Sequence, residues 1–286
     1  MTWKSPHARP LPDFSKRPAL MGILNLTPDS FSDGGAYNSV EGALARAQSL
    51  IDEGADIIDM GAESTRPDSS PIEEQEELAR LLAPLKAVRK RFENIPISID
   101  TYKPSVAASA IECGADIIND VRAAGCAGGY DASSEMPKLA AKLNCPLIIM
   151  HNSFGAQIAG EIKEDVLSSL LKSAQICLDA GLSKSQIVFD IGFGFGKTSA
   201  QNLEMLKNID YFRRGGYPLL LGLSRKRTIG EVTGLPKDDR DLPSAIADAW
   251  ALFKGGVDIL RVHNVAKNKI AIEMVAAIKC PGKWTK

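Results

Sequence analysis

The pentapeptide Gly54-Ala55-Asp56-Ile57-Ile58 returns as Gly114-Ala115-Asp116-Ile117-Ile118 and, more loosely, as Gly256-Val257-Asp258-Ile259-Leu260. Each copy reads as the end of a helix, a glycine suited to the left-handed C-cap, and the start of a buried strand. Short apolar runs at 20–24, 56–60, 95–99, 116–118, 146–150, 187–189, 218–221 and 258–260 mark eight strands. Helix-period stretches lie between them. One places Leu78, Leu81, Leu82, Leu85, Val88 and Phe92 on a single stripe, with a bend expected at Pro84. Another places Val166, Leu170, Leu171, Ala174, Cys177 and Leu178 on one face. Strand then helix, repeated in units of similar size, predicts a parallel sheet closed into one (β/α)8 barrel, the TIM-barrel class, rather than an open doubly wound sheet. The barrel is expected over residues 19–280, after a proline-bearing extended tail over 1–18 and before a C-terminal tail over 281–286.

Composition sets limits on function. The 286 residues carry 34 Lys and Arg against 35 Asp and Glu, a formal net charge of −1. That balance excludes the broad basic footprint of a dedicated nucleic-acid binder and leaves room for a local anion site. No run of about 18 apolar residues predicts a membrane span, and residues 1–18 lack the apolar stretch of a secretory signal. Five scattered cysteines without CxxC spacing argue against a disulfide framework or zinc site, and for a reducing cytoplasm.

In such a barrel the chemistry sits where strands end, at the C-terminal face. Long loops follow strand one (25–35) and strand two (61–71), the kind of loop that binds or covers a ligand. Strand three ends in Asp100, strand four in Asn119-Asp120 and strand six in Asp190. Each could cap the next helix; together they could bind a metal or accept from the donor edge of a heterocycle. After strand six, Gly192-Phe193-Gly194-Phe195-Gly196-Lys197-Thr198 imitates two phosphate motifs and completes neither. A Walker A loop needs glycine at Ile191, and a dinucleotide fingerprint needs one at Lys197. These glycines are better suited to letting backbone approach a flat ligand, with Phe193 or Phe195 lining its pocket. Lys226, after strand seven, could be a Schiff-base nucleophile, a phosphate contact or a donor to a carbonyl. Arg261 and His263 lie two apart at the end of strand eight. They are expected on one side, as a cationic patch suited to a diphosphate. His151, after strand five, stays open. The sum describes an enzyme acting on a phosphorylated heterocycle.

The segments 25–35 and 63–67 closely resemble the two signature loops of the dihydropteroate synthase family. Residues 98–101, 118–120, 192–197, 224–226 and 261–263 fall in that family's order. The resemblance covers the chain from about Leu20 to Ile278. It implies a folate-pathway transferase, usually homodimeric, that joins para-aminobenzoate to 6-hydroxymethyl-7,8-dihydropterin diphosphate. By matching motif, Asp100, Asn119, Asp190 and Lys226 would hold the pterin, with Arg261 stacked on its ring. Asn25 would ligate Mg²⁺, and Asn25, Thr65, Arg261 and His263 would hold the diphosphate. Phe31, Pro67, Phe195 and Ser224 would shape the para-aminobenzoate pocket, making sulfonamides expected inhibitors. Asp33 and Arg66 would join Thr65, Lys226, Arg261 and His263 in catalysis. Two departures touch the pocket wall: Ile191 replaces the family's usual Pro, and Asn152-Ser153-Phe154 follows Met150-His151 where Met-Gln-Gly is usual. A methyltetrahydrofolate:corrinoid methyltransferase would have no diphosphate to expel and no use for the two loops. A non-catalytic pterin-binding paralogue would be expected to lose Asn25, Arg66, Lys226 or His263, and all four are present.

Overall fold

Each predicted strand forms. A computed structural model describes residues 3–27, 36–64, 70–124, 129–153, 155–156 and 160–283. Its strands are β1 (Ala19–Asn25), β2 (Ile57–Gly61), β3 (Ile97–Asp100), β4 (Ile117–Ala124), β5 (Leu147–His151), β6 (Ile187–Asp190), β7 (Leu219–Leu221) and β8 (Ile259–Val262). They pair in sequence order, and β8 returns to β1, closing a parallel (β/α)8 barrel. The helices are α1 (Ala36–Glu53), α2 (Glu74–Arg91), α3 (Pro104–Glu112), α4 (Glu135–Leu143), α5 (Ile162–Asp179), α6 (Ser199–Lys207), α7 (Arg227–Thr233), α8 (Asp241–Phe253) and α9 (Val265–Lys279). Two helices, α7 and α8, therefore stand between β7 and β8 where a single one was expected.

Three local expectations change. Strand β4 runs on past Asp120 to Ala124, with a register shift against β5 between those residues. Helix α2 continues through Pro84, which lies buried on its inner face. Leu171, expected on the packed face of α5, is 41% exposed, while Leu167 turns inward instead.

The repeat has a structural purpose beyond its glycine. Gly54 and Gly114 take φ of +104° and +101°, and in the third copy Gly255 takes that place at +77°. Each repeated aspartate then ties its strand to the neighbour before it. Asp56 accepts the Leu20 N–H at 2.8 Å, Asp116 the Ile97 N–H at 3.0 Å, and Asp258 the Leu219 N–H at 2.7 Å. In return, the three aspartate N–H groups donate to the carbonyls of Leu20, Ile97 and Leu219. Arginines complete the joints: Arg17 on Asp56, Arg89 and Arg9 on Asp116, and Arg213 on Asp258. Arg17 and Arg213 bind bidentately, while Arg9 and Arg89 take one oxygen of Asp116 each; charge-assisted bonds of this kind fix direction as well as distance. They hold the N-terminal end of the barrel, opposite the chemistry.

That end is also plugged. Met21, Ile57, Ile117, Ile148, Val188, Leu220 and Ile259 form an apolar floor inside the barrel, and Trp3 packs beneath it with Leu11 and Phe14. The Trp3 indole donates to the Pro12 carbonyl at 2.9 Å, and Ser5 and Arg9 reach Asp116. The segment ahead of β1 is irregular, yet it closes the barrel bottom. A larger core fills the layer between strands and helices.

Candidate active site

Side chains on a strand return to the same face every second residue. Counting two residues up from the floor therefore gives the mouth: Ile57 leads to Asp59, Ile117 to Asn119, Val188 to Asp190 and Ile259 to Arg261. Asp100 stands beside Gly61, whose missing side chain leaves room at its Cβ. One polar layer sits directly on one apolar layer.

Arg261 is the hub of that layer. Its Nε donates to Asp59 Oδ2 at 2.6 Å and its Nη2 to Asp100 Oδ2 at 2.7 Å. The Asn119 amide lies 3.4 Å from both Asp59 oxygens. Asp190 accepts the Gly192 N–H at 2.8 Å. In this layer two acceptors are unserved by the described residues: Asp100 Oδ1 and Asn119 Oδ1 are buried without a hydrogen-bond partner. A buried acceptor left unpaired costs about 1–3 kcal/mol, which a ligand bringing N–H donors would recover.

The charges in this layer are strongly perturbed. Burial pushes Asp100 up to about 7 against the pull of Arg261, and the Asp59 carboxylate adds to the rise. Burial also raises Asp190, while Lys226 opposes it. Burial lowers Lys226 to about 7, with Asp190 and Asp100 resisting. Arg261, although desolvated, holds its proton more tightly than usual because of Asp59 and Asp100. The Lys226 ammonium donates to the Phe193 carbonyl and lies 4.2 Å from the centre of the Phe195 ring. Phe193 itself is fully buried in the core, so only Phe195 of the two faces the mouth.

The expected cationic patch of Arg261 and His263 is not what the side chains form. Arg261 turns to the two carboxylates. His263 is held neutral, its proton affinity lowered to about 3 by burial, Arg225, Arg261 and Lys237. Its Nδ1 faces the Ser224 hydroxyl at 3.0 Å, and its carbonyl accepts from Arg46. Arg225 is clamped by Asp241 at 2.6 and 2.9 Å. Ser224, expected at a para-aminobenzoate pocket, is thus buried against His263.

Other candidates separate. Asp120 leaves the mouth and accepts the Tyr130 hydroxyl at 2.7 Å on the barrel's outer side. His151 is fully buried, with Asp165 Oδ2 3.5 Å from Nε2; burial and Lys197 lower it to about 3. Thr198 caps α6 in a capping box with Gln201. Phe31, Asp33, Thr65, Arg66 and Pro67 lie outside the described residues.

Sequence reading missed Asp59 because it stands within an apolar run. Its place two residues above Ile57 was the available signal. It also missed Lys103, which donates to Glu63 Oε2 at 2.6 Å, Glu77 Oε2 at 2.8 Å and the Ile72 carbonyl, joining both ends of the strand-two loop.

Asn25 ends β1, half-buried at the rim. Among the described residues no three His, Cys, Asp or Glu side chains cluster around a possible ion. A single amide oxygen nevertheless fits Mg²⁺ arriving with phosphate, since that ion keeps most of its water and uses few protein ligands.

Comparisons with known proteins agree with this geometry. The family described as pterin binding enzyme matches residues 21–263. A dihydropteroate synthase of Clostridium beijerinckii is 42% identical over 93% of this chain and 96% of its own. The crystal structure of a Clostridium difficile dihydropteroate synthase in the presence of pteroic acid superposes with a TM-score of 0.88 at 39% identity, covering 94% of this chain and 99% of that one. That of the Yersinia pestis enzyme with a sulfonamide drug gives 0.83 at 34% identity, covering 94% and 96%. A barrel with this polar layer, matched over nearly its whole length, belongs to the pterin-binding enzyme family, among the dihydropteroate synthases.

Proposed function

We propose that this chain joins 6-hydroxymethyl-7,8-dihydropterin diphosphate to para-aminobenzoate, giving 7,8-dihydropteroate and diphosphate. The observation that carries the reading is the pair of buried, unserved acceptors, Asp100 Oδ1 and Asn119 Oδ1, at the floor of the mouth. An aminopyrimidine edge supplies N–H groups that they lack. With Asp190, they would hold the ring, and Lys226 would donate to its carbonyl. Arg261, already between Asp59 and Asp100, would lie against the ring and reach the leaving group.

In the reaction the bond between the pterin methylene and diphosphate breaks, and both electrons leave with the diphosphate. The aniline nitrogen then gives its lone pair to the methylene carbon and releases its extra proton to solvent. The nearby carboxylates stabilise the cation-like methylene between these events. Asn25 would hold Mg²⁺, which when bound neutralises charge on the diphosphate. His263 and Thr65 would contact the same group, while Asp33 and Arg66 would help close the site against water. Phe31, Pro67, Phe195 and Ser224 would shape the para-aminobenzoate pocket, where sulfonamides compete. No covalent bond to Lys226 forms, so borohydride is expected to trap no enzyme–substrate imine.

Two wider readings accompany this one. The chain works as a homodimer, supported by an exposed apolar stripe on α8 (Leu242, Ile246, Trp250) and a second on α9 (Ile270, Met274, Ile278). Such contiguous apolar surface ordinarily marks an interaction face. It works in the cytoplasm, supported by free thiols at Cys113, Cys145, Cys177 and Cys280. No helix among the described residues is long and apolar enough to cross a membrane.

The test is diphosphate release from the pterin substrate with and without para-aminobenzoate and Mg²⁺. Release that requires all three is expected. Tight pterin binding without release would favour a non-catalytic pterin-binding protein.

A further inference from the structure

The loop Gly192–Gly196 looks like a phosphate cradle in sequence, and its lysine shows why it is something else. Lys197 is buried, and its ammonium donates to the carbonyls of Gly192 at 2.9 Å, Phe195 at 3.0 Å and His151 at 3.2 Å. Three carbonyls match the three donors of an ammonium, and a buried cation needs that satisfaction to offset its lost hydration. Oxygen acceptors around Nζ also repel an anion. A phosphate role for Lys197 does not fit this surrounding.

The lysine instead bolts two βα loops together. His151 ends β5, so its carbonyl ties that strand to the loop after β6. Gly192, at φ of +64°, comes so close that a Cβ there would stand 1.7 Å from the His151 carbonyl oxygen. Ser153 adds a second tie, its hydroxyl donating to the Gly196 carbonyl and lying 3.4 Å from that of Phe195. Ser153 belongs to the segment after Met150-His151 that departs from the family's usual residues. On the far side, the Gly194 N–H donates to Asn202 at 2.7 Å, and Asn202 donates to Thr228 at 3.2 Å.

This bolted loop is what meets Lys226. The Phe193 carbonyl accepts its ammonium and the Phe195 ring lies beside it. A Cβ at Gly194 would come within 2.8 Å of Lys226 Cδ. A small shift of the loop would therefore displace both the aromatic wall and the lysine.

We propose that Lys197, assisted by Ser153, is a positioning residue for para-aminobenzoate, fixing the Gly192–Gly196 loop so that Phe195 and Lys226 form one wall of its pocket. This rests on the assignment of Phe195 to that pocket. Of the pterin contacts, Asp100 and Asn119 come from β3 and β4 and are untouched by the bolt, whereas Lys226 and Asp190 meet the loop at Phe193 and Gly192.

The test compares the wild-type chain with Lys197→Met and Ser153→Ala. Wild type must first be seen to make 7,8-dihydropteroate; if it does not, the functional reading fails rather than the role of Lys197. In Lys197→Met, the KM for para-aminobenzoate is expected to rise about tenfold or more, while pterin Kd by calorimetry, to which the loop contributes only through Lys226 and Asp190, weakens by a clearly smaller factor. Ser153→Ala is expected to move the same KM about threefold, and the double variant to fall short of the product of the two because both ties meet at the Phe195 carbonyl. An unchanged KM in Lys197→Met, or equal losses in pterin and para-aminobenzoate affinity, would overturn the proposal. Should Lys197→Met fail to fold, Ser153→Ala decides: a KM equal to wild type overturns it.

Discussion

Asp59, Arg261 and Asp100 form a buried chain of charge in which one guanidinium serves two carboxylates. Such a group is costly to leave half paired. Replacing Asp59 with Asn removes the charge but not the acceptor, loosening Arg261 while leaving Asp100 and Asn119 in place. Pterin affinity in Asp59→Asn is expected to fall about tenfold to a hundredfold, since a hydrogen bond to a charged group is worth about 1.5–3 kcal/mol. Calorimetric binding equal to wild type would contradict the hub role. His263 gives a second expectation at this scale. Its folded pKa of about 3 lies below the ordinary 6.5, so its contribution to stability is complete above pH 6.5 and is lost as pH falls toward 3. Between pH 6.5 and 4 the unfolded chain takes up a proton that folded His263 refuses. Urea unfolding across that window should lose about one proton's worth of pH slope in His263→Asn. A slope unchanged by the substitution would mean that His263 is protonated in the folded chain.

At the scale of elements, the three aspartate joints explain why a pentapeptide repeats. Asp116 is the most enclosed of them, accepting from Ile97, Arg89, Arg9 and Ser5. Asp116→Ala should destabilise the fold by about 3–5 kcal/mol, the cost of breaking a buried pair. Urea unfolding within about 1 kcal/mol of wild type would show the joint to be dispensable. The strands were legible because each is a local apolar run, and the rim was legible because side chains alternate. Asp100, Asn119, Asp190 and Arg261 all reach one mouth as read. What was not legible depends on partners far away in sequence. Arg261 and His263 have the spacing of a cationic pair, yet Asp59 and Asp100, 202 and 161 residues earlier, claim the arginine. Burial among arginines then keeps the histidine neutral. Lys197 likewise needed the His151 carbonyl, 46 residues before it, to reveal its role.

For the molecule as a whole, a net charge of −1 conceals a sharply divided mouth, with carboxylates at its floor and the Lys226–Arg261 pair among them. The outside is divided too. The stripes on α8 and α9 expose Ile246 by 62% and Ile270 by 60%, apolar surface of the kind that marks an interaction face. For the homodimer proposed above, Ile246→Glu combined with Met274→Glu should give a monomer in sedimentation velocity at micromolar concentration. A dimer that survives both charges would place the interface elsewhere. The most direct measurement of the central claim follows labelled para-aminobenzoate incubated with the purified chain, the pterin diphosphate and Mg²⁺. One 7,8-dihydropteroate should form per diphosphate released, and Asp100→Ala or Asn119→Ala should lose most of that turnover through weakened pterin binding. Pterin bound at the mouth with no label transferred by the wild-type chain would contradict the account.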